Sequence, residues 1–244
     1  MSLLNTITTG CENRPPRIVI YGSEGIGKST FAASAPNPIF IQTEDGLSSI
    51  NAAKFPLATT FEQVIDQLKA VLNDEHDFNS LVIDSLDWLE HLIWDKVCQD
   101  FGVRNIDKAD GGFGHGYMNA LTHWREITAL LDSIRGKRNM VICLVAHAKI
   151  ERFEDPESAG YDRYTPRLHK YANSLICEWV DAILFATRRI RVDKDAGKAS
   201  AIGSNGGERV LRTVGSPACI AKNRYGLPEE IALSWQAFVD NIKH

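Results

Sequence analysis

The sequence predicts an α/β fold: a mostly parallel β-sheet with helices on both faces and an antiparallel β extension toward the C-terminus. Two observations carry this. Short apolar, β-branched runs alternate with stretches whose apolar residues recur every three or four positions, the patterns of fully buried strands and of amphipathic helices. A glycine-rich stretch at residues 22–29 stands between the first such run and the first helix. Alternation of this kind implies parallel pairing through right-handed crossovers.

The chain has 244 residues, 44% hydrophobic and 24% charged. That is enough for a full core without disulfides or metals. Residues 1–16 are expected as an N-terminal extension and 17–244 as a single domain. Strands are expected at 17–21, 38–42, 81–84, 140–146 and 182–187. A short helix should run from Lys28 until Pro36 stops it. Phe61, Val64, Ile65, Leu68, Val71 and Leu72 mark a second helix; Leu86, Leu89, Ile93 and Val97 a third; Leu121, Trp124, Ile127, Leu131 and Ile134 a fourth. Residues 102–117 and 149–170 read as long loops, a length usually kept for function. Beyond Thr187, residues 188–192, a polar turn at 193–197, residues 208–214 and a last strand near 218–222 read as antiparallel.

Charge and cysteine content exclude several classes. Lys plus Arg number 27 against 31 Asp plus Glu, a net charge of −4, so no global positive field draws in nucleic acid and any such contact must be local. Five cysteines without a C-x-x-C pair argue against a zinc site or a disulfide framework and for a reducing cytoplasm. The first 16 residues lack the order of a signal peptide. No apolar run approaches the ~20 residues of a membrane span.

Gly22, Ser23, Glu24, Gly25, Ile26, Gly27, Lys28 and Ser29 fit G-x-x-x-x-G-K-[ST], the P-loop. Its glycines let the backbone wrap phosphate oxygens, and its amides and the following helix start, through Thr30, face the anion. Lys28 can bridge the terminal phosphates and Ser29 can ligate Mg²⁺, so ATP and Mg²⁺ are the expected cofactors. The run 81–84 ends in Asp84, a second group for the metal. Strand 38–42 leads into Thr43, Glu44 and Asp45 at the carboxyl edge of the sheet, where ligands of open α/β sheets bind. Glu44 is the expected general base for water.

This order of motifs resembles the RecA-like P-loop ATPase core. Lys222, Asn223, Arg224, Tyr225 and Gly226 look like the K-N-R-[FY]-G element of RecA-related ATPases, and the short chain is most similar to minimal RecA-core phage proteins, including Sak-type single-strand annealing recombinases. The resemblance implies that His147, after the strand at 140–146, senses the γ-phosphate, and that Lys222 and Arg224 reach the ATP of a neighbouring subunit. It further implies a homo-oligomer, ring or filament, that anneals single-stranded DNA in the host cytoplasm. A single-strand-binding protein is a candidate further partner. DNA is expected at residues 102–117 and 149–170, the latter mixing Lys149, Arg152, Arg163, Arg167 and Lys170 with aromatic residues. A P-loop small-molecule kinase and a regulatory ATPase without a DNA role stay open as alternatives.

Overall fold

The computed structural model describes residues 3–10, 12, 14–156, 159–193, 198–201 and 207–243. Its strands are Arg17–Gly22 (β1), Pro38–Gln42 (β2), Ala53–Lys54 (β3), Ser80–Asp84 (β4), Val141–Phe153 (β5), Tyr161–Pro166 (β6), Ala182–Arg188 (β7), Ile190–Asp193 (β8), Lys198–Ala201 (β9), Arg209–Arg212 (β10), Lys222–Asn223 (β11) and Glu230–Ala232 (β12). The helices are Lys28–Ala33 (α1), Phe61–Asn73 (α2), Leu86–Asp100 (α3), His115–Arg138 (α4), Lys170–Trp179 (α5) and Trp235–Asp240 (α6).

The main sheet runs β12-β10-β7-β1-β5-β4-β2-β3. It is parallel from β7 to β3, with β10 and β12 added antiparallel. Alternation along each central strand sends its apolar side chains to opposite faces. Val19, Tyr21, Ile83 and Leu144 pack under α2, α3, α4 and α5, whereas Ile18, Ile20, Val82 and Val145 pack against α1 and α6. Thr60 caps α2, its side chain accepting from the Gln63 N–H at 3.2 Å. Among the described residues no helix is long and apolar enough to cross a membrane.

The structure revises the expected loops. Within 149–170, residues 149–153 and 161–166 are strand: β5 continues past Ala146 to Phe153 and pairs antiparallel with β6, with Lys149 opposite Thr165 and Phe153 opposite Tyr161. The charges of this hairpin hid its strands, because a ribbon off the main sheet needs backbone partners but no apolar run. Residues 102–117 hold a 3-10 turn, Ile106–Gly111, and the first turn of α4. That turn escapes notice because it is polar. Helices α5 and α6 were not anticipated; each buries few apolar residues, Ala172 and Ile176 in α5, Trp235 and Phe238 in α6. The stretch 188–192 divides between the end of β7 and β8, and most of the expected turn, 194–197, lies outside the described residues. Near 218–222 the pairing is two isolated bridges from Cys219, to Tyr164 and Ser216, and the short β11.

Candidate nucleotide site

Four parallel strands deliver the predicted groups to one edge of the sheet. Gly22 ends β1 opposite His147 of β5, and Gln42 ends β2 opposite Asp84 of β4. In the loop after β1, Gly25 and Gly27 have φ of 69° and 112°, the left-handed region that favours glycine. Gly22 is required for another reason: a Cβ there would overlap the Ala186 carbonyl oxygen on β7. Lys28 is buried, its Nζ donating to the carbonyl oxygens of Gly22 at 3.1 Å and Ser23 at 2.9 Å. Burial pushes its pKa down against the opposing pull of Asp84, Glu24, Asp87 and Glu44.

Asp84 is 2% exposed. Burial drives its pKa up to about 6, a side-chain hydrogen bond from Ser29 opposes the shift, and the charge of Glu44 adds to it. Its Oδ2 has no hydrogen-bond partner, nor has the Ser85 hydroxyl beside it. Thr43 joins the neighbouring strand ends: its N–H donates to Asp84 O at 2.9 Å and its hydroxyl to Ser85 O at 2.7 Å. This clamp sets the next residue, Glu44, beside His147, with Oε1 4.0 Å from Nε2. Asp45 is exposed.

Two residues that sequence reasoning did not place here complete the cluster. Asp87, in the first turn of α3 and 4% exposed, accepts from the His147 N–H at 3.1 Å and meets His147 Nδ1 at 3.0 Å. Arg167, after β6, donates to Asp87 Oδ2 from Nη2 at 2.7 Å and lies 3.6 Å from Glu24 of the P-loop. Burial raises the Asp87 carboxyl, but the bonds from His147 and Arg167 outweigh it and hold the group well below the usual carboxylate range. The D-S-L-D spacing puts Asp87 in the first turn of α3, three residues after Asp84 at the end of β4, a signal that could have flagged it. Arg167, read as part of a DNA loop, has no local signal linking it to the P-loop. Arg209 of β10 also arrives from afar: a Cβ on Gly27 would stand 3.2 Å from its Nη1. Arg209 helps line a cavity beside α1 with Thr30, Phe31 and Trp235.

A family model described as an AAA domain matches residues 14–225, a span that holds the P-loop, Glu44, Asp84, Asp87, His147 and Arg167. The chain belongs to the AAA domain family. It is similar to the SPbeta prophage-derived uncharacterized protein YorG of Bacillus subtilis (strain 168), 24% identical over 203 residues. That match takes in 81% of this chain and 58% of the relative, so the chain spans little more than half the length of that relative.

The chain of this AAA domain fits the nucleotide and the metal its family implies. An open backbone cradle ends at Lys28, and the unpartnered Asp84 Oδ2 stands with the Ser29 hydroxyl as a ready oxygen donor set for Mg²⁺. Lys222 and Arg224 are not brought to this edge. Lys222 donates to Glu178 O at 3.1 Å, and Arg224 pairs with Asp181 at 3.3 Å, where β7 and β1 begin. The length of β1, about 17 Å at ~3.3 Å per residue, separates them from their own P-loop.

Proposed function

We propose that this AAA domain hydrolyses ATP with Mg²⁺ and couples hydrolysis to binding single-stranded DNA, as a self-assembling recombination or annealing protein of the minimal RecA-like phage type. One observation carries the coupling: Arg167, from the segment expected to meet DNA, lies in the nucleotide cluster between Glu24 and Asp87. The prophage origin of the relative supports a phage setting.

In this reading the amides of residues 22–30 and Lys28 bind the phosphates, while Ser29 and Asp84 hold Mg²⁺. The ion, when bound, neutralises charge on the phosphate oxygens. Glu44 takes a proton from water as its oxygen attacks the γ-phosphorus, ADP leaves, and the proton passes to solvent. His147, held by Asp87 through Nδ1, presents Nε2 toward Glu44 and the terminal phosphate. Lys222 and Arg224, too far to serve their own P-loop, serve the neighbour's. A single-strand-binding protein is a further partner in this scheme.

The deciding experiment is ATP turnover with and without single-stranded DNA, run beside size exclusion. DNA-stimulated turnover by an assembled species is the expected result. Turnover indifferent to DNA would leave an ATPase without a DNA role, and phosphate transfer to a small acceptor would make it a kinase.

A further inference from the structure

Helix α3 is inside out for part of its length. It buries two carboxylates, Asp87 and Glu90, each 4% exposed, while Trp88 between them is 48% exposed. Burying ionisable groups is unfavourable unless they are partnered, and these are: Arg167 and His147 bind Asp87, and the His169 N–H donates to Glu90 at 2.9 Å. The two carboxylates thus hold the segment 167–169 against the helix. Between helix and segment lies a cleft of ≈ 550 Å³, lined by Trp88, His91, Trp94 and His169 with Lys149 and Arg167.

The lining is a run of ring surfaces. His91 meets Trp88 and Trp94 edge to face, with centroids 6.0 and 5.1 Å away. Tyr117 of α4 stacks behind His169 at 4.1 Å and 9°, and exposed Tyr171 abuts His169 at 5.1 Å with Lys170 over its ring. On α3 successive rings at 88, 91 and 94 are offset by about 4.5 Å along the axis. The acids that line the cleft are buried and satisfied, and the cations that face it are Lys149, which also lies 3.6 Å from Glu151, and Arg167, which also lies 3.6 Å from Glu24. Rings for stacking beside cations suit unpaired bases joined by phosphates; a duplex keeps its base faces inside.

We infer that this cleft is a single-strand nucleic-acid site in which unpaired bases stack along the Trp88–Trp94 face of α3 while phosphates lie toward Lys149 and Arg167. The inference rests on the single-strand reading above and names where that strand sits. It also assigns a route to the nucleotide: Arg167 forms one wall of the cleft and binds Asp87, which binds His147. A phosphate that draws on Arg167 competes with Asp87 for it.

The test uses the full chain, a fluorescein-labelled oligo(dT) and the variants Trp88→Ala, Tyr171→Ala and Trp88→Phe. Neither Trp88 nor Tyr171 belongs to the nucleotide cluster, so ATP turnover without DNA stays at the wild-type rate. Trp88→Ala is expected to weaken oligonucleotide binding by roughly 5- to 150-fold, the range for losing one stacking platform. Trp88→Phe keeps most of the affinity, and oligonucleotide quenches the wild-type tryptophan fluorescence. Phe113→Ala serves as the contrast, because Phe113 is 99% exposed on the neighbouring glycine turn. If the wild type binds the oligonucleotide and the alanine variants of the cleft bind it equally well, or only Phe113→Ala loses it, the strand lies elsewhere and the cleft assignment is overturned. If the wild type binds no oligonucleotide, the single-strand reading itself fails, and the cleft assignment with it.

Discussion

Lys28 has two carbonyl partners inside its own loop, Gly22 and Ser23, so its ammonium is already aimed where phosphate oxygens would enter. Lys28→Ala is expected to leave the sheet intact and remove most nucleotide affinity, read by titration with a fluorescent ATP analogue. Unchanged affinity would remove the phosphate assignment. Glu44 is positioned by the Thr43 clamp, and Glu44→Gln keeps its shape without its proton affinity. Binding should persist while turnover falls by about 10²- to 10⁴-fold. A fall of that size in Asp45→Asn instead would transfer the role to Asp45. A third prediction concerns Glu90. Burial pushes its pKa up to about 7, with Asp87 adding to the shift and both the His169 N–H and Lys149 opposing it. A carboxyl whose folded pKa lies above its ordinary value makes the folded state hold the extra proton, so its contribution to stability falls as pH rises from about 4.5 to about 7. Glu90→Gln has no proton to lose. Its Tm relative to wild type should therefore rise across that window, and a pH-independent difference would contradict the buried-carboxyl account.

At the scale of elements, α3 and the β5–β6 hairpin are joined by charge rather than by apolar packing alone. Removing one partner of a buried ion pair strands the other, at a cost of about 3–5 kcal/mol for well-buried pairs; Arg167 is half exposed, so its own release is cheaper. Asp87→Ala should lower the denaturation midpoint markedly and free both Arg167 and His147, whereas Asp87→Asn, which keeps an acceptor, should lose turnover more than stability. Chemical denaturation beside steady-state turnover separates the two effects. Equal losses of stability in both variants would mean that shape, not charge, is what Asp87 supplies. Arg163 and Arg167, both in the segment expected to meet DNA, have different surroundings. Arg163 lies over the Phe153 ring at 4.0 Å while Arg167 turns toward the P-loop, so of these two arginines only Arg163→Ala tests a DNA contact without disturbing the nucleotide cluster.

At the scale of the molecule, the nucleotide cluster occupies the carboxyl edge of the sheet and the Lys222–Arg224 element the amino edge. Arg224 joins Arg17 and Arg135 around Asp181. This leaves two roles for its exposed guanidinium, a local ion pair or a finger to a second subunit, and a finger of that kind raises phosphoryl-transfer rates by about 10³ to 10⁵. Mixing distinguishes them. Lys28→Ala subunits lack a phosphate site but keep the finger, and Arg224→Ala subunits have the reverse. Co-assembled mixtures are expected to regain turnover that neither variant shows alone; mixtures that assemble and stay inactive would confine Arg224 to its own subunit.

Local rules were sufficient for the parallel core. Strands at 17–21, 38–42, 81–84 and 182–187 and the helices after residues 28, 61 and 86 appear where apolar period and P-loop spacing put them, because a strand buried on both faces admits little but apolar residues. For the same reason the positions of Lys28, Ser29, Asp84 and Glu44 at one sheet edge were legible: Asp84 ends such a strand, Glu44 lies just after one, and Lys28 and Ser29 follow one through the glycine-rich loop. Tertiary structure alone decided what the polar segments do. Residues 149–153 and 161–165 became a ribbon because backbone hydrogen bonds, which carry no side-chain signature, joined the two segments. Asp87 and Arg167, 80 residues apart, were paired by burial, since a carboxylate shut away from water must find a cation wherever the chain brings one. The Trp88 face was likewise invisible to periodicity: the pattern marks which residues recur on one side of a helix, and only packing decides which side faces water.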